Sequence, residues 1–294
     1  MTEFADPRYK DIDTWPTRVA LEAIWESQLA AVGSIGPALE SLSCAVDRAV
    51  ARLSQSDSGR LAYTGAGTSI RVAVQDGTEL GPTFDWPDAR TAYLVAGGHR
   101  ALIHSIEGAE DDSEDAIEQV AENKLGQDDV LIGVAASGHT PFTVAAVKAA
   151  RAAGALTIGI ANNPGSPLLD VAEVSVLVDT GAEVISGSTR MKAGTAQKIV
   201  LNMISTQTMI GLGRVYGGLM VDMRPANIKL RKRAVGMVQV IAGATAEQAS
   251  AALEAAEWNI KNAVLIARGE DPSDASAALT RANGNLRDAL DGID

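Results

Sequence analysis

Two short turns contain the residue types that can hold a small anion. The first reads TGAGTS over residues 64–69, and the second reads ASGHT over residues 136–140. In each turn, glycine allows the backbone to approach a ligand closely, and hydroxyl side chains stand where a helix is expected to begin. Backbone N–H groups at a helix N-terminus bind phosphate well. We therefore expect the two turns to form one phosphate site.

The expected ligand contacts come from both turns. An alternative is that each turn is only a tight connection whose serine and threonine cap the next helix. A dinucleotide site is disfavoured, because Ile70 stands where the third glycine of a GxGxxG motif would be. The residues expected to contact phosphate are Gly67, Thr68 and Ser69 in the first turn, and Ser137, Gly138, His139 and Thr140 in the second.

The elements that must position these turns follow an alternating pattern. Between residues 60 and 178, short apolar runs alternate with amphipathic stretches, which is typical of β–α units. The predicted fold class is therefore α/β, a doubly wound parallel five-stranded sheet flanked by helices, with ligands bound at the carboxyl ends of the strands. Strands are predicted at 61–64, 92–96, 130–135, 156–160 and 174–178, and helices at 69–75, 112–124, 141–153, 167–172 and 191–212.

The rest of the chain is predicted to be helical. Residues 1–53 are interpreted as an arm and a helix, residues 54–234 as the sheet domain that contains both turns, and residues 235–294 as a small helical bundle. Thr245, followed three residues later by Gln248, predicts a capping box within this bundle. We interpret the chain as having no internal repeat.

Composition excludes several classes of protein. The formal net charge of −12 argues against a nucleic-acid partner, because a polyanion requires a basic surface. The single cysteine, Cys44, excludes an internal disulfide. No apolar stretch has the length expected of a signal peptide or a membrane span. We therefore expect a cytoplasmic protein without a membrane partner.

Three further segments resemble those of one enzyme family. They read DGTELGPTF at 76–84, AGGHRALIHSIEGAEDD at 96–112 and GAEVISGSTRMKAGTAQK at 181–198. The two hydroxyl turns resemble those of sugar isomerase (SIS) domains, which bind phosphosugars. With DIDTWPT near the start and LMVDM near Met220, the sequence resembles the N-acetylmuramic acid 6-phosphate etherases over nearly its whole length.

The resemblance implies a lyase of cell-wall recycling. Such an enzyme releases D-lactate from N-acetylmuramic acid 6-phosphate and leaves N-acetylglucosamine 6-phosphate. Breaking the C3 ether of an open-chain aldehyde sugar needs a base for the C2 proton and an acid for the departing oxygen. By resemblance, Glu79 matches the acid and Glu110 matches the base. No metal or cofactor is implied, and a homodimer would supply a second copy of the fold.

The resemblance also places Ser188, Arg190 and Lys192 at the ligand. The two cations would neutralise ligand or backbone charge, and a buried structural ion pair is the alternative. His139 could contact the phosphate or the lactyl carboxylate.

Alternatives remain for both glutamates. Glu79 could be an exposed loop residue, although an acid that keeps its proton near neutral pH should be buried against apolar surface. Glu110 lies in an acidic run that could simply be a solvated helix start, and Glu107 is the rival base.

Two positions depart from the family's pattern. Ile70 replaces a usual glycine, where it could narrow the pocket or pack beneath the turn. Leu80 and Gly81 replace the first residues of a commoner CPPT segment. The alternative functions are an aldose–ketose isomerase, which has no leaving group to protonate at C3, and a non-enzymatic sugar-phosphate sensor.

Overall fold

The computed structural model describes residues 2–292, which form two compact units. The first unit contains residues 2–77 and 89–206, and the second contains residues 78–88 and 207–292. The boundaries expected near residues 53 and 234 are not boundaries of these units. Each unit is described by itself below.

The first unit contains a parallel five-stranded sheet. Its strands lie side by side in the order β2-β1-β3-β4-β5, and every neighbouring pair is parallel. Every residue of the three central strands is buried, and since successive side chains point to opposite faces, both faces of the sheet are covered. The predicted α/β fold class is confirmed. The strands are β1 (Leu61–Gly65), β2 (Thr91–Val95), β3 (Val130–Ala135), β4 (Leu156–Ala161) and β5 (Val174–Leu177).

Thirteen α-helices occur among the described residues, and those predicted between the strands are found within three residues of the expected bounds. Helix α2 packs on β3, β4 and β5, and α6 packs on β1, β3 and β4. The helices are α1 (Thr17–Gly33), α2 (Leu39–Leu53), α3 (Gly67–Thr78), α4 (Leu80–Phe84), α5 (Ser113–Glu122), α6 (Pro141–Ala152), α7 (Pro167–Val171), α8 (Lys192–Gly211), α9 (Ile228–Ala242), α10 (Ala246–Ala255), α11 (Ile260–Ala267), α12 (Pro272–Arg281) and α13 (Leu286–Asp291).

The stretch from Thr17 to Leu53 corrects one expectation. By length and composition alone it could cross a membrane, although no such stretch was expected. A short 3₁₀ helix, Gly36–Ala38, separates its two α-helices. The inner face of α2 buries Leu42, Val46 and Leu53, so this half of the stretch belongs to the core of the first unit.

The second unit is helical. Helices α9 to α13 enclose an apolar core whose members include Met237, Leu253, Val264 and Leu286. The predicted capping box is present, because the Thr245 hydroxyl accepts from the Gln248 N–H while the Gln248 side chain accepts from the Thr245 N–H.

An internal repeat occurs in this unit, and the interpretation that the chain has none is wrong. Residues 249–259 read ASAALEAAEWN and residues 275–285 read ASAALTRANGN. The helix pairs α10–α11 and α12–α13 begin at matching positions, 246 and 260 against 272 and 286, so both are offset by 26 residues. Alanine supplies most of the identical positions, which hides the repeat from a search for polar motifs.

The connecting loops of the two copies share a backbone conformation. Glu257 and Trp258 have φ of 50° and 65°, and Asn283 and Gly284 have φ of 51° and 75°. A large side chain in this left-handed region is unusual. Trp258 stacks on the Arg231 guanidinium, 4.6 Å from the ring centroid, which helps to hold its loop.

Candidate active site

The first hydroxyl turn connects β1 to α3. Gly67 is the first residue of α3 and has a φ of +54°, which glycine adopts without strain. A side chain at Gly67 would meet no atom within 4 Å, so this backbone faces open space. Thr68 is half-buried and Ser69 is 8% exposed. The turn therefore presents backbone and hydroxyl groups to a space that a ligand can enter.

The second hydroxyl turn connects β3 to α6. Gly138 has a φ of +68°, and a Cβ atom there would lie 2.1 Å from the Ser166 hydroxyl, so only glycine fits. The Ser137 hydroxyl accepts from the His139 N–H at 3.1 Å, and the exposed His139 ring bonds the Ser137 carbonyl through Nδ1 at 2.8 Å. These bonds fix the local conformation of the turn at the start of α6.

The two turns line one cavity, because β1 and β3 are neighbours in the sheet. The cavity has a volume of about 380 Å³. Glu110 and Asp111 reach the same cavity from the acidic segment that precedes α5. The cavity therefore combines neutral donors of two turns with the carboxylate residues Glu3, Glu110 and Asp111. Its lining residues are Glu3, Ala66, Gly67, Thr68, Ser69, Glu110, Asp111, Ala136, Ser137, His139, Thr140, Pro141 and Thr189.

A second cavity lies beside the first and contains the rival glutamate. Glu107 lines this cavity of about 290 Å³, whereas Glu110 lines both cavities. The Arg71 guanidinium donates to the Ala101 carbonyl at 2.9 Å and to the His104 carbonyl at 3.3 Å, which fixes the loop before these glutamates. Both cavities include Gly67 of the first turn, but of the two candidate glutamates only Glu110 lines the cavity that contains both hydroxyl turns.

Glu79 belongs to the second unit. It follows α3 directly and takes the N-cap position of α4, but its side chain makes no capping hydrogen bond. Glu79 is exposed, so the expectation that it is buried against apolar surface is wrong for this chain by itself. The reason is that the next residue, Leu80, takes the buried position of this short helix at 2% exposure.

The segment that follows Glu79 is firmly held within the second unit. The Arg214 guanidinium donates to the Phe84 carbonyl at 2.6 Å and to the Asp85 carbonyl at 3.1 Å. The same guanidinium stacks on the Trp86 ring, and Arg224 forms an ion pair with Asp85. Because its α4 segment is anchored at these points, Glu79 stands on a defined backbone.

The segment from 181 to 198 begins with a buried carboxylate. Glu183 is fully buried, and its two carboxylate oxygens accept from the Lys192 N–H at 2.8 Å and the Ala193 N–H at 2.9 Å. These N–H groups belong to the first turn of α8, so Glu183 caps this helix from nine and ten residues upstream. Sequence reasoning missed this role, since nothing local marks it.

The three residues expected at the ligand in this segment have different settings. The Lys192 ammonium is buried and donates to the Ala182 carbonyl at 3.0 Å. Burial lowers the pKa of Lys192, and the nearby Glu183 carboxylate offsets part of that effect. Arg190 is exposed and Ser188 is half-buried. Among the described residues 2–292, Ser188, Arg190 and Lys192 do not line either of the two cavities. Their neighbour Thr189 lines the cavity that contains both turns.

The two departures from the expected pattern have packing roles. Ile70 is fully buried, and its Cβ would lie 3.4 Å from a Cβ placed on Gly65, so it packs beneath the first turn. Ile70 is not among the residues that line the two cavities. The side chain therefore supports the turn and leaves the cavity open.

Comparison with known proteins places the chain in a family. Residues 43–151 match the family model described as the glucokinase regulatory protein N-terminal SIS domain. An N-acetylmuramic acid 6-phosphate etherase of Deinococcus radiodurans is 48% identical over 290 residues, which are 98% of this chain and 94% of that protein. The chain belongs to the N-acetylmuramic acid 6-phosphate etherase family. An etherase of Cronobacter sakazakii is 42% identical over 99% of this chain and 97% of its own.

One solved structure agrees with the fold of this etherase family member. A phosphoheptose isomerase from Francisella tularensis superimposes with a TM-score of 0.50 at 16% identity, covering 66% of this chain and 98% of that one. At this identity the likeness concerns the fold alone. The family predicted from the sequence motifs is confirmed by the etherases.

Proposed function

We propose that this chain is a carbon–oxygen lyase that converts N-acetylmuramic acid 6-phosphate into N-acetylglucosamine 6-phosphate and D-lactate. The observation that carries the proposal is that Glu110 lines the same cavity as the two hydroxyl turns. A phosphate bound at the turns would bring the carbon atoms of its sugar into the space that the Glu110 carboxylate borders. A carboxylate in that position can act as a base on the sugar.

The reaction proceeds by elimination and hydration. The open-chain aldehyde acidifies the proton at C2, and the Glu110 carboxylate removes it. The electron pair of the C2–H bond passes to the aldehyde to give an enolate, and this pair then forms the C2–C3 double bond as the C3–O bond to lactate breaks. Glu79 donates a proton to the departing lactyl oxygen. Water then adds to the unsaturated aldehyde, with its oxygen at C3 and a proton at C2, which restores the sugar.

Neutral donors hold the phosphate in this proposal. Gly67, Thr68 and Ser69 donate from the first turn, and Ser137, Gly138, His139 and Thr140 from the second. Both turns end at helix N-termini, where backbone N–H groups and the helix dipole attract an anion. Ser188 and Arg190 are proposed to approach the ligand from the segment that carries Thr189, while Lys192 stabilises that segment through the Ala182 carbonyl.

We further propose that two copies of the chain form a homodimer through α1. One face of this helix buries Ser27 and Ala31. The opposite face carries an apolar stripe, which consists of Leu21, Trp25, Leu29 and Val32 and is between 49% and 61% exposed. An exposed apolar stripe at helical spacing is typical of a surface that packs on a partner. A cytoplasmic location is proposed, because the free Cys44 fits a reducing compartment.

Incubation with N-acetylmuramic acid 6-phosphate in deuterated water tests the function. We expect release of D-lactate, measured enzymatically, and deuterium at C2 of the N-acetylglucosamine 6-phosphate, measured by mass spectrometry. Exchange at C2 with formation of a ketose would instead indicate an isomerase. Binding of the sugar phosphate without either event would indicate a sensor.

The base is tested with a matched pair of variants. Glu110→Gln should lose C2 exchange by about 10²- to 10⁴-fold, which is the usual contribution of a general base. Glu107→Gln is the control, because Glu107 lines the neighbouring cavity and is not among the lining residues of the cavity that contains both turns. Loss of exchange in Glu107→Gln with full exchange in Glu110→Gln would assign the base to Glu107.

A further inference from the structure

The N-terminal arm is fastened beside the hydroxyl turns. Thr2 is fully buried, and its N–H donates to the Asn163 amide oxygen at 3.0 Å. The Asn163 amide nitrogen donates in return to the Thr2 hydroxyl at 3.0 Å and to the Ser137 carbonyl at 3.4 Å. Asn163 lies just beyond β4, so one side chain joins the arm to the second turn.

The backbone of Thr2 and Glu3 is also bound by the segment that contains Ser186 and Gly187. The Gly187 N–H donates to the Thr2 carbonyl at 3.3 Å, and the Ser186 hydroxyl donates to the Glu3 carbonyl at 2.9 Å. These contacts place Glu3 at the cavity that also contains Thr68, Ser137 and Glu110. The arm thus adds a carboxylate to the wall of the proposed substrate cavity.

The chemistry of this carboxylate restricts what it can meet. An ionised carboxylate only accepts hydrogen bonds, and none of the cavity-lining residues within 2–292 is a lysine or arginine that could pair with Glu3. A phosphate monoester is mostly a dianion at neutral pH and would repel it. The hydroxyl and amide N–H groups of an amino sugar are donors, which a carboxylate binds strongly.

We propose that Glu3 is a specificity-determining residue that accepts a hydrogen bond from a hydroxyl or amide N–H of the bound amino-sugar phosphate. The proposal rests on the lyase function above for the identity of the cavity's occupant. It assigns the arm to the binding site, so that the cavity recognises the sugar as well as its phosphate. The rival is an inhibitory arm whose Glu3 charge competes with the incoming phosphate.

Binding measurements separate the two ideas without depending on turnover. Calorimetric titration would compare N-acetylglucosamine 6-phosphate with inorganic phosphate for the full chain and for Glu3→Gln. We expect the Kd of the sugar phosphate to rise about 10- to 100-fold in Glu3→Gln, as for loss of a hydrogen bond to a charged group, and that of inorganic phosphate to rise less than about 3-fold. Glu40→Gln, on the exposed side of α2, is the charge-matched control and should change neither.

Several outcomes overturn the proposal. Tighter binding of both ligands by Glu3→Gln would establish the inhibitory arm instead. Unchanged affinity for the sugar phosphate, or no binding to the unmodified chain, would also reject a Glu3 contact. Glu3→Asp adds a test of geometry, because a shortened carboxylate should weaken sugar-phosphate binding whereas charge repulsion alone would leave it unchanged. A chain that binds the amino sugar through Glu3 but releases no lactate would reject the lyase function and keep this inference.

Discussion

Glu79 and Glu110 stand in different settings, which separates their effects in experiment. Glu110 lines the cavity of the hydroxyl turns, whereas Glu79 caps the start of α4 by its backbone in the second unit. If Glu79 only protonates the departing lactyl oxygen, Glu79→Gln should retain C2 exchange while D-lactate release falls about 10²- to 10⁴-fold. Deuterium incorporation and lactate are measured on the same samples. Equal loss of both activities would show that Glu79 is needed before the C2 proton is removed.

Asp129 makes a pH-dependent contribution to folding stability. It lies just before β3, at the end of the strands opposite to the cavity. Its carboxylate accepts from the Arg60 guanidinium at 2.8 Å and 3.0 Å, and from the Gly126 N–H at 2.9 Å. Burial raises the pKa of Asp129, but these hydrogen bonds outweigh burial and hold the pKa below its ordinary value. Because the folded-state pKa is lowered, the stabilisation is present above the unfolded-state pKa near 4 and is lost as the pH falls through the folded-state pKa.

The expected consequence concerns Asp129→Asn. At pH 7 the free energy of unfolding of the variant should be lower by about 1.5–3 kcal/mol, the usual value of hydrogen bonds to a charged group. Below about pH 4 the difference from the unmodified chain should shrink, because the unfolded chain binds a proton at Asp129 at a higher pH than the folded chain does. Urea unfolding at pH 7 and pH 3.5 measures both values. A difference that stays constant with pH would contradict the charged state assumed for Asp129.

The position of an individual residue was predictable from sequence only where neighbouring residues in the chain determine it. The glycines and hydroxyls of the two turns follow strands directly, so their position at the cavity followed from the β–α pattern. Glu3, Thr189 and Glu183 depend on contacts between distant parts of the chain, and no local motif marked them. The exposure of Glu79 was also not predictable, because it depends on which side of α4 is buried.

At the scale of elements, the two hydroxyl turns differ in their tolerance of a side chain. Gly138→Ala would place a Cβ 2.1 Å from the Ser166 hydroxyl at a left-handed φ, and should destabilise the first unit by about 1–3 kcal/mol or more. Gly67→Ala meets open space, so only the strain of its φ remains, about 1–2 kcal/mol. Thermal unfolding compares the two variants.

The same pair makes a prediction about binding. The added methyl group of Gly67→Ala points into the space proposed for the phosphate, so the variant should remain folded and bind N-acetylglucosamine 6-phosphate more weakly. Calorimetry on the folded variant measures this effect. Unchanged affinity would place the phosphate away from the first turn.

The elements of the sheet were predicted well, while the end of the chain was only partly predicted. Apolar runs and small-residue turns reveal strands, because both faces of the sheet are buried. The helical bundle was recognised by its period, and its Thr245 cap was confirmed. The repeat was missed, because alanine-rich helices carry little sequence information, and it became visible from matching helix bounds and matching φ values.

At the scale of the whole molecule, the apolar stripe of α1 predicts an assembly. Trp25→Glu would place a charge on a side chain that is 61% exposed in the single chain, so it should disrupt the dimer without unfolding the protomer. Light scattering coupled to gel filtration should then report half the mass of the unmodified protein. Glu26→Gln on the same helix is the control. A dimeric Trp25→Glu would place the interface elsewhere, and a monomeric unmodified chain would reject the dimer.

The division of the chain into two units implies an order in which they can fold during synthesis. Residues 78–88 leave the ribosome before four of the five strands of the sheet, yet they belong to a compact unit whose other residues are 207–292. The first unit, with its cavity and Glu110, can fold once residue 206 has emerged. The segment that carries Glu79 acquires its contacts with Arg214 and Arg224 only after those residues have been made. In a nascent chain, the cavity that Glu110 lines could therefore form before the segment that carries Glu79 is anchored.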